Sequence, residues 1–210
     1  MIRVVGGYVY AMRYTIPVLI LGLFPALAHA AAVLMKPVDW EANPDEQVVT
    51  IKVFSSIEDG DLDRVRQAFA KARKGDRRVL ALEMESDGGD GYTGMQLAQY
   101  VADHNVSVLL RERCWSACSY AAMVALGQGR LLIRDQAEIG VHQARDTGDG
   151  SASRGWTQMT ANQLLQLGAP ADMLDAMVET PPSGMTRYSY FTLKYKGAIA
   201  MPGQSWWSWE

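Results

Sequence analysis

Residues 79–91 read VLALEMESDGGDG, and this stretch decides the fold. Residues 79–84 (VLALEM) form an apolar strand signal, and residues 85–91 (ESDGGDG) read as a loop. Met95, Leu97, Ala98 and Val101 then follow at helical spacing, predicting a helix that stops near His104 and Asn105. Working outward toward the N-terminus, residues 48–54 (VVTIKVF) are a β-branched strand bounded by Ser55-Ser56. From Asp61, the residues Leu62, Val65, Phe69 and Ala72 recur at spacings of three and four, an amphipathic helix ending at Lys74-Gly75. Toward the C-terminus, residues 106–110 predict a third strand, 116–126 (SACSYAAMVAL) a buried helix of small residues, and 130–133 and 139–142 two short strands. Strands alternating with helices predict an α/β fold, a mostly parallel sheet with helices covering both faces.

The remainder is more irregular. Residues 144–155 (ARDTGDGSASRG) read as a mobile surface loop, 163–167 and 171–178 as short helices parted by Gly168-Ala169-Pro170, 189–195 as a final helical turn and 198–200 as a strand. Residues 204–210 (QSWWSWE) gather three of the six tryptophans, suited either to sealing the domain edge or to a membrane or substrate contact. With 49% apolar residues in a 210-residue chain, a disordered or collagen-like protein is excluded, and one domain over residues 48–203, preceded by a lead-in at 31–47, is the economical division. Of the 20 basic residues, Arg3 and Arg13 fall in the first 30, which contain no acid, so 18 basic side chains face 23 acidic ones over the rest. No basic stripe is present to suit a nucleic acid.

Residues 1–30 read as an address. Arg13 precedes the apolar run 15–27 (TIPVLILGLFPAL), and Ala28-His29-Ala30 supplies small residues at a signal peptidase site. Met12 opens a shorter segment with all three parts, which makes it a candidate start in place of Met1. The competing reading is an uncleaved anchor over residues 14–35, long enough to span a bilayer and to hold the protein at the membrane through its N-terminus. Both readings put the working domain outside the cytoplasm, periplasmic or secreted.

Three features carry candidate chemistry. Asp87-Gly88-Gly89 follows a strand and precedes a helix, where glycines let backbone N–H groups approach a ligand. Cys114-Trp115-Ser116-Ala117-Cys118 opens the small-residue helix, so Ser116 gains the positive end of the helix dipole beside the unpaired N–H of Ala117. His142 closes a short strand, one of two histidines beyond residue 30. A nucleophilic serine needs a base, a group that holds the base and two donors for the oxyanion. Cys114 and Cys118 are the only cysteines. Packed thiols are favoured over a bridge, because two residues four apart on one helix sit near the upper limit of disulfide Cα separation. A Cys-x₃-Cys pair is also too thin for zinc, so neither metal nor cofactor is expected.

Together these residues resemble the proteolytic subunit of the Clp protease and its crotonase-like relatives, including exported peptidases of the signal peptide peptidase A type. The resemblance runs over residues 48–200: Ser86-Asp87-Gly88-Gly89, a helix with Gly94-Met95, a serine followed by small residues, Gly127-x-Gly129-x-Leu131 and a strand ending in His142-Gln143. It implies a Clp/crotonase-like fold of ββα repeats and an exported serine peptidase or related hydrolase that cuts peptide or protein substrates through an acyl-enzyme. Ser116 falls on the nucleophile, His142 on the base, and the N–H groups of Gly89 and Ala117 on the oxyanion hole. Ser119 competes with Ser116 but lies a turn deeper in the helix. For the third residue Glu179 is nearest, Asp175 is the runner-up, and a Ser–His dyad stays open. The chain departs from the family where Ser-Pro-Gly-Gly reads Ser-Asp-Gly-Gly and where the segment after His142 is short for the handle that joins double rings, which leaves homo-oligomer formation open. Two alternatives stand beside the peptidase: a binding or scaffold protein with weakened catalysis, and an acyl-CoA enzyme, which export disfavours.

Overall fold

The computed structural model describes residues 32–37 and 48–201. The signal segment, most of the lead-in and the Trp-rich tail of the sequence reading therefore lie outside the described residues. In chain order the elements are β1 (Ala32–Pro37), β2 (Val48–Ile57), α1 (Asp61–Lys74), β3 (Arg78–Gly89), α2 (Gly91–Asp103), β4 (Val108–Leu110) and β5 (Arg113–Trp115). There follow α3 (Ala117–Gly127), β6 (Leu131–Ile133), β7 (Glu138–Val141), α4 (Arg154–Gln166), α5 (Ala171–Glu179), β8 (Thr186–Ser189), α6 (Tyr190–Tyr195) and β9 (Ile199–Ala200). β1 corrects the reading of residues 31–47 as lead-in alone: it runs antiparallel to β2, with Ala32 opposite Phe54.

The sheet is organised by β3, whose 12 residues are too long for one set of neighbours. One edge pairs in parallel with β2 along its length. The other edge pairs first with β4 through Leu82 and Glu83 and then with β5 through Ser86 opposite Cys114. β4 continues through β6 to β9, while β5 continues through β7 to β8, the last pair antiparallel. β3 thus joins a larger sheet to a smaller one, and its C-terminal end lies where they part.

Two strand boundaries differ from the sequence reading for one reason. Ser55 takes a positive φ of 74° at an irregularity in the β2–β3 register, after which β2 resumes, so Ser55-Ser56 does not end the strand. The resumed pairing sets Ser56 opposite Gly88 and Ile57 opposite Gly89, which makes residues 85–89 strand rather than loop.

The apolar core lies between the helices and one sheet face, with Leu82, Met84, Val108, Leu110, Leu131 and Ile133 pointing into it. The alternate residues Ala81, Leu109 and Leu132 form a small separate cluster on the opposite face, to which none of the described helices contributes. This corrects the expectation of helices on both faces. That face also carries the buried Glu83, paired with Arg111 Nε at 3.1 Å and Lys52 Nζ at 3.5 Å. Burial lowers the Lys52 pKa, but its hydrogen bond to Glu85 and the Glu83 and Glu85 charges outweigh this and raise it above the ordinary value.

α1 keeps its expected bounds, with Asp61 and Asp63 in the first turn and Lys71, Arg73 and Lys74 in the last, complementing the helix dipole. α4 begins nine residues before the expected 163, because Thr157, Thr160, Ala161 and Leu164 form its buried stripe with only two apolar residues among them. α2 and α3 touch through Gly94, where a Cβ would stand 2.6 Å from the carbonyl oxygen of Ala117. Gly94→Ala is expected to lower stability by about 1–3 kcal/mol, read as a fall in urea midpoint at unchanged m.

Candidate active site

The site is assembled around one unusual backbone conformation. Ser116 links β5 to α3 with φ 52° and ψ −127°, a left-handed twist that a non-glycine residue adopts at a cost on the order of 1–3 kcal/mol. It reverses the chain sharply from strand to helix. The Ser116 N–H donates to Gly140 O at 2.8 Å, extending the β5–β7 ladder by one bond. The Ser119 hydroxyl, which is buried, donates to the Ser116 carbonyl at 2.6 Å. Ser116 itself is half-buried.

Gly88 presses on this turn from β3. A Cβ there would lie 2.6 Å from Ser116 Cβ, 3.0 Å from Trp115 O and 3.2 Å from Ala117 N, and its φ of +106° also favours glycine. Next to it, Asp90 N–H donates to Ile57 O at 2.8 Å. N–H groups alternate sides along a strand, so the Gly89 N–H faces the other edge of β3, toward β5. The Ala117 N–H, at the first position of α3, has no partner within its helix. The Gly89 N–H thus points away from β2, and the Ala117 N–H stands at the opening of α3. Asp90 caps α2 by accepting from Thr93 N at 2.7 Å, which fixes where β3 hands over to the helix.

His142 follows β7 directly. Because Trp115 pairs with Gly140, Ser116 and His142 stand one register step apart on adjacent parallel strands, whose spacing is about 4.8 Å. Among the described residues no hydrogen bond joins Ser116 Oγ to the imidazole. His142 Nδ1 instead lies 2.6 Å from Gln143 O. A proton on Nδ1 would satisfy that carbonyl and leave Nε2 as an acceptor. Gln143 is held in turn by the end of α5: its N–H donates to Thr180 O at 2.8 Å, and its side-chain amide donates to Val178 O.

Among the described residues no hydrogen bond or ion pair joins Glu179 or Asp175 to His142. Both are exposed on α5 and, with Gln158, Asn162, Leu165 and Val178, line a groove of about 150 Å³ between α4 and α5. Three features were missed in the sequence. β5 is only three residues long, and its partners lie on β3 and β7. β8, in a stretch to which the sequence assigns no element, places Thr186 opposite Val141, one residue from His142. Cys114 and Cys118 form a disulfide with a Cα separation of 5.1 Å. The argument for packed thiols fails because Cys114 lies on β5 and only Cys118 on α3, and the reversal at Ser116 folds one toward the other. Among the described residues, no group of three or more His, Cys, Asp or Glu converges as metal ligands would.

No family model matches the chain, and no curated protein matches it. Solved structures do. A serine-to-alanine mutant of the 1510-N membrane-bound stomatin-specific protease aligns with TM-score 0.55 and 16% identity, over 74% of this chain and 79% of that one. A lysine-to-alanine mutant of the same protease, in complex with a substrate peptide, aligns with TM-score 0.53 and 17% identity, over 74% of each chain. The chain therefore has the Clp-like protease fold, a mixed α/β arrangement of mostly parallel strands with covering helices. The described lysines, Lys36, Lys52, Lys71, Lys74, Lys194 and Lys196, fall on β1, β2, α1, α6 and the α6 cap, none on β5, α3, β7 or the β7–α4 connection.

Gly88→Ala is expected to displace Ser116 and to lower stability by about 1–3 kcal/mol while far-UV circular dichroism keeps its native shape. An unchanged urea midpoint would mean that the turn absorbs a methyl group freely.

Proposed function

We propose that this protein is an exported serine peptidase, or a closely related amide hydrolase, that works through an acyl-enzyme on Ser116. The observation that carries the reading is the turn at Ser116, a half-buried serine with φ 52° at the opening of α3 and one register step from His142, and the reading takes the N–H groups of Gly89 and Ala117 as the oxyanion donors. Ser116 Oγ attacks the scissile carbonyl as His142 Nε2 takes its proton. The two N–H groups donate hydrogen bonds to the developing oxyanion, and His142 returns the proton to the leaving amine. Water then attacks the ester by the same route in reverse order and frees Ser116.

His142 is held here by the Gln143 carbonyl rather than a carboxylate, so the pair acts as a dyad. The separation of Ser116 Oγ from the ring fits a free enzyme, whose catalytic hydrogen bonds commonly close only with substrate bound. The substrate peptide bound to the structurally similar protease supports a peptide or protein substrate for this chain. Export is supported by the charged, apolar and small-residue parts of residues 12–30 and by a disulfide, which persists in oxidising compartments.

The test is a fluorophosphonate probe with mass-spectrometric mapping of the labelled residue. Labelling at Ser116 supports the reading, whereas its absence leaves the binding or scaffold alternative. Ser116→Ala and His142→Ala should each lower hydrolysis on the order of a thousandfold or more, and the double variant should be little worse than either. Glu179→Gln and Asp175→Asn should both stay within about threefold of wild type. A loss of about a hundredfold in Glu179→Gln alone would restore a triad.

A further inference from the structure

We infer that the Cys114–Cys118 disulfide is the positioning device of Ser116, so that the site is competent only when the bond is formed; this rests on the reading of Ser116 as nucleophile. The two half-cystines stand two residues before and two after Ser116 and join the end of β5 to the first turn of α3. Both are fully buried. Cys114 is anchored on two sides, opposite Ser86 of β3 and Ile139 of β7, so the strand end cannot follow the helix if the helix shifts. The bond closes a ring around the one residue whose backbone is held in an unfavourable twist.

A cross-link over so few residues removes little freedom from the unfolded chain, because the stabilisation grows with the length of the closed loop. Its effect is local. Without it, the φ of 52° at Ser116 rests on the bond to Gly140 O and on the pressure of Gly88. Rotation toward negative φ would relieve the twist, and it would carry both the Ser116 hydroxyl and the Ala117 N–H away from Gly89. Reduction by a dithiol breaks the S–S bond and makes two thiols, with two electrons and two protons taken from the reductant, which ends as its own disulfide. The chain is accordingly held off in a reducing compartment and switched on when a disulfide oxidant forms the bond.

The test measures the rate of fluorophosphonate labelling at Ser116 in the oxidised full chain, in the chain equilibrated with dithiothreitol, and in the Cys114→Ala/Cys118→Ala double variant. Thiols are counted by mass after denaturing alkylation, and folding is followed by far-UV circular dichroism. The reduced and double-variant proteins are expected to label about tenfold or more slowly with an unchanged spectrum, and oxidised glutathione should restore the rate of the reduced wild type. Equal rates in oxidised and fully reduced chains would overturn the positioning role while leaving the hydrolase reading intact. If the double variant does not fold, the reduced wild type decides. Should it lose its spectrum together with its labelling, the bond is a staple of the whole fold and the inference fails. An oxidised chain that does not label at all overturns the hydrolase reading itself.

Discussion

The hydrogen bond from Ser116 N–H to Gly140 O is the constraint on which the rest of the site depends. It prolongs the β5–β7 ladder into a residue that has already left the strand, and so fixes the twist at Ser116 against the pull toward ordinary backbone angles. Gly88 closes the same turn from the opposite side, at a distance that excludes any side chain. With these two in place and the Cys114–Cys118 bond closed across the turn, the Ala117 N–H and the serine hydroxyl are oriented together, and His142, two residues beyond Gly140, directly follows the strand that supplies the hydrogen bond. The sheet that supplies these contacts is cut in two along β3, and the turn occupies the end of that division.

Seen from the polar groups, the site is anchored backbone to backbone. Asp90 N–H holds Ile57 O, Gln143 N–H holds Thr180 O, and Ser116 N–H holds Gly140 O. Side chains enter mainly where they clamp a main-chain atom, as the Gln143 amide does on Val178. Main-chain anchors lose little entropy when a ligand binds, since they are fixed by the fold. Charged groups gather in two places, on the sheet face that bears Lys52, Glu83 and Arg111 and around Trp115, where Arg113 pairs with Asp87 and Arg187 with Glu138.

Much of the fold could be read where local pattern and tertiary structure agree. α1 announced itself by Leu62, Val65, Phe69 and Ala72, and α2 by Leu97, Ala98 and Val101, because those helices bury one face. The misreadings arose where pairing with distant residues overrode local chemistry. Gly88 and Gly89 look like a loop until β2 resumes after Ser55 to pair with them, and Arg113–Trp115 is strand only because Ser86 and Gly140 flank it. α4 was shortened because its buried stripe includes Thr157 and Thr160, which carry no apolar periodicity. The disulfide was discounted by a helix geometry that only one of its cysteines obeys. Ser116, His142, Gly89 and Ala117 could be named as candidates from motif order, but the hold of Gln143 on His142 depends on the end of α5 and left no local trace.

The pairing order of the strands has a kinetic consequence. The Ser116 turn draws on Gly88 and Gly140, and the β2–β3 and β5–β7 ladders that hold them are parallel and non-local. Contacts of that kind form late, since each must close a long loop before it returns any stabilisation. A chain emerging during synthesis carries the serine well before it carries the strand that orients it. For the proposed hydrolase, Ser116 is thus unarmed throughout folding, when the protein's own unpaired strands would be the nearest extended peptides within reach.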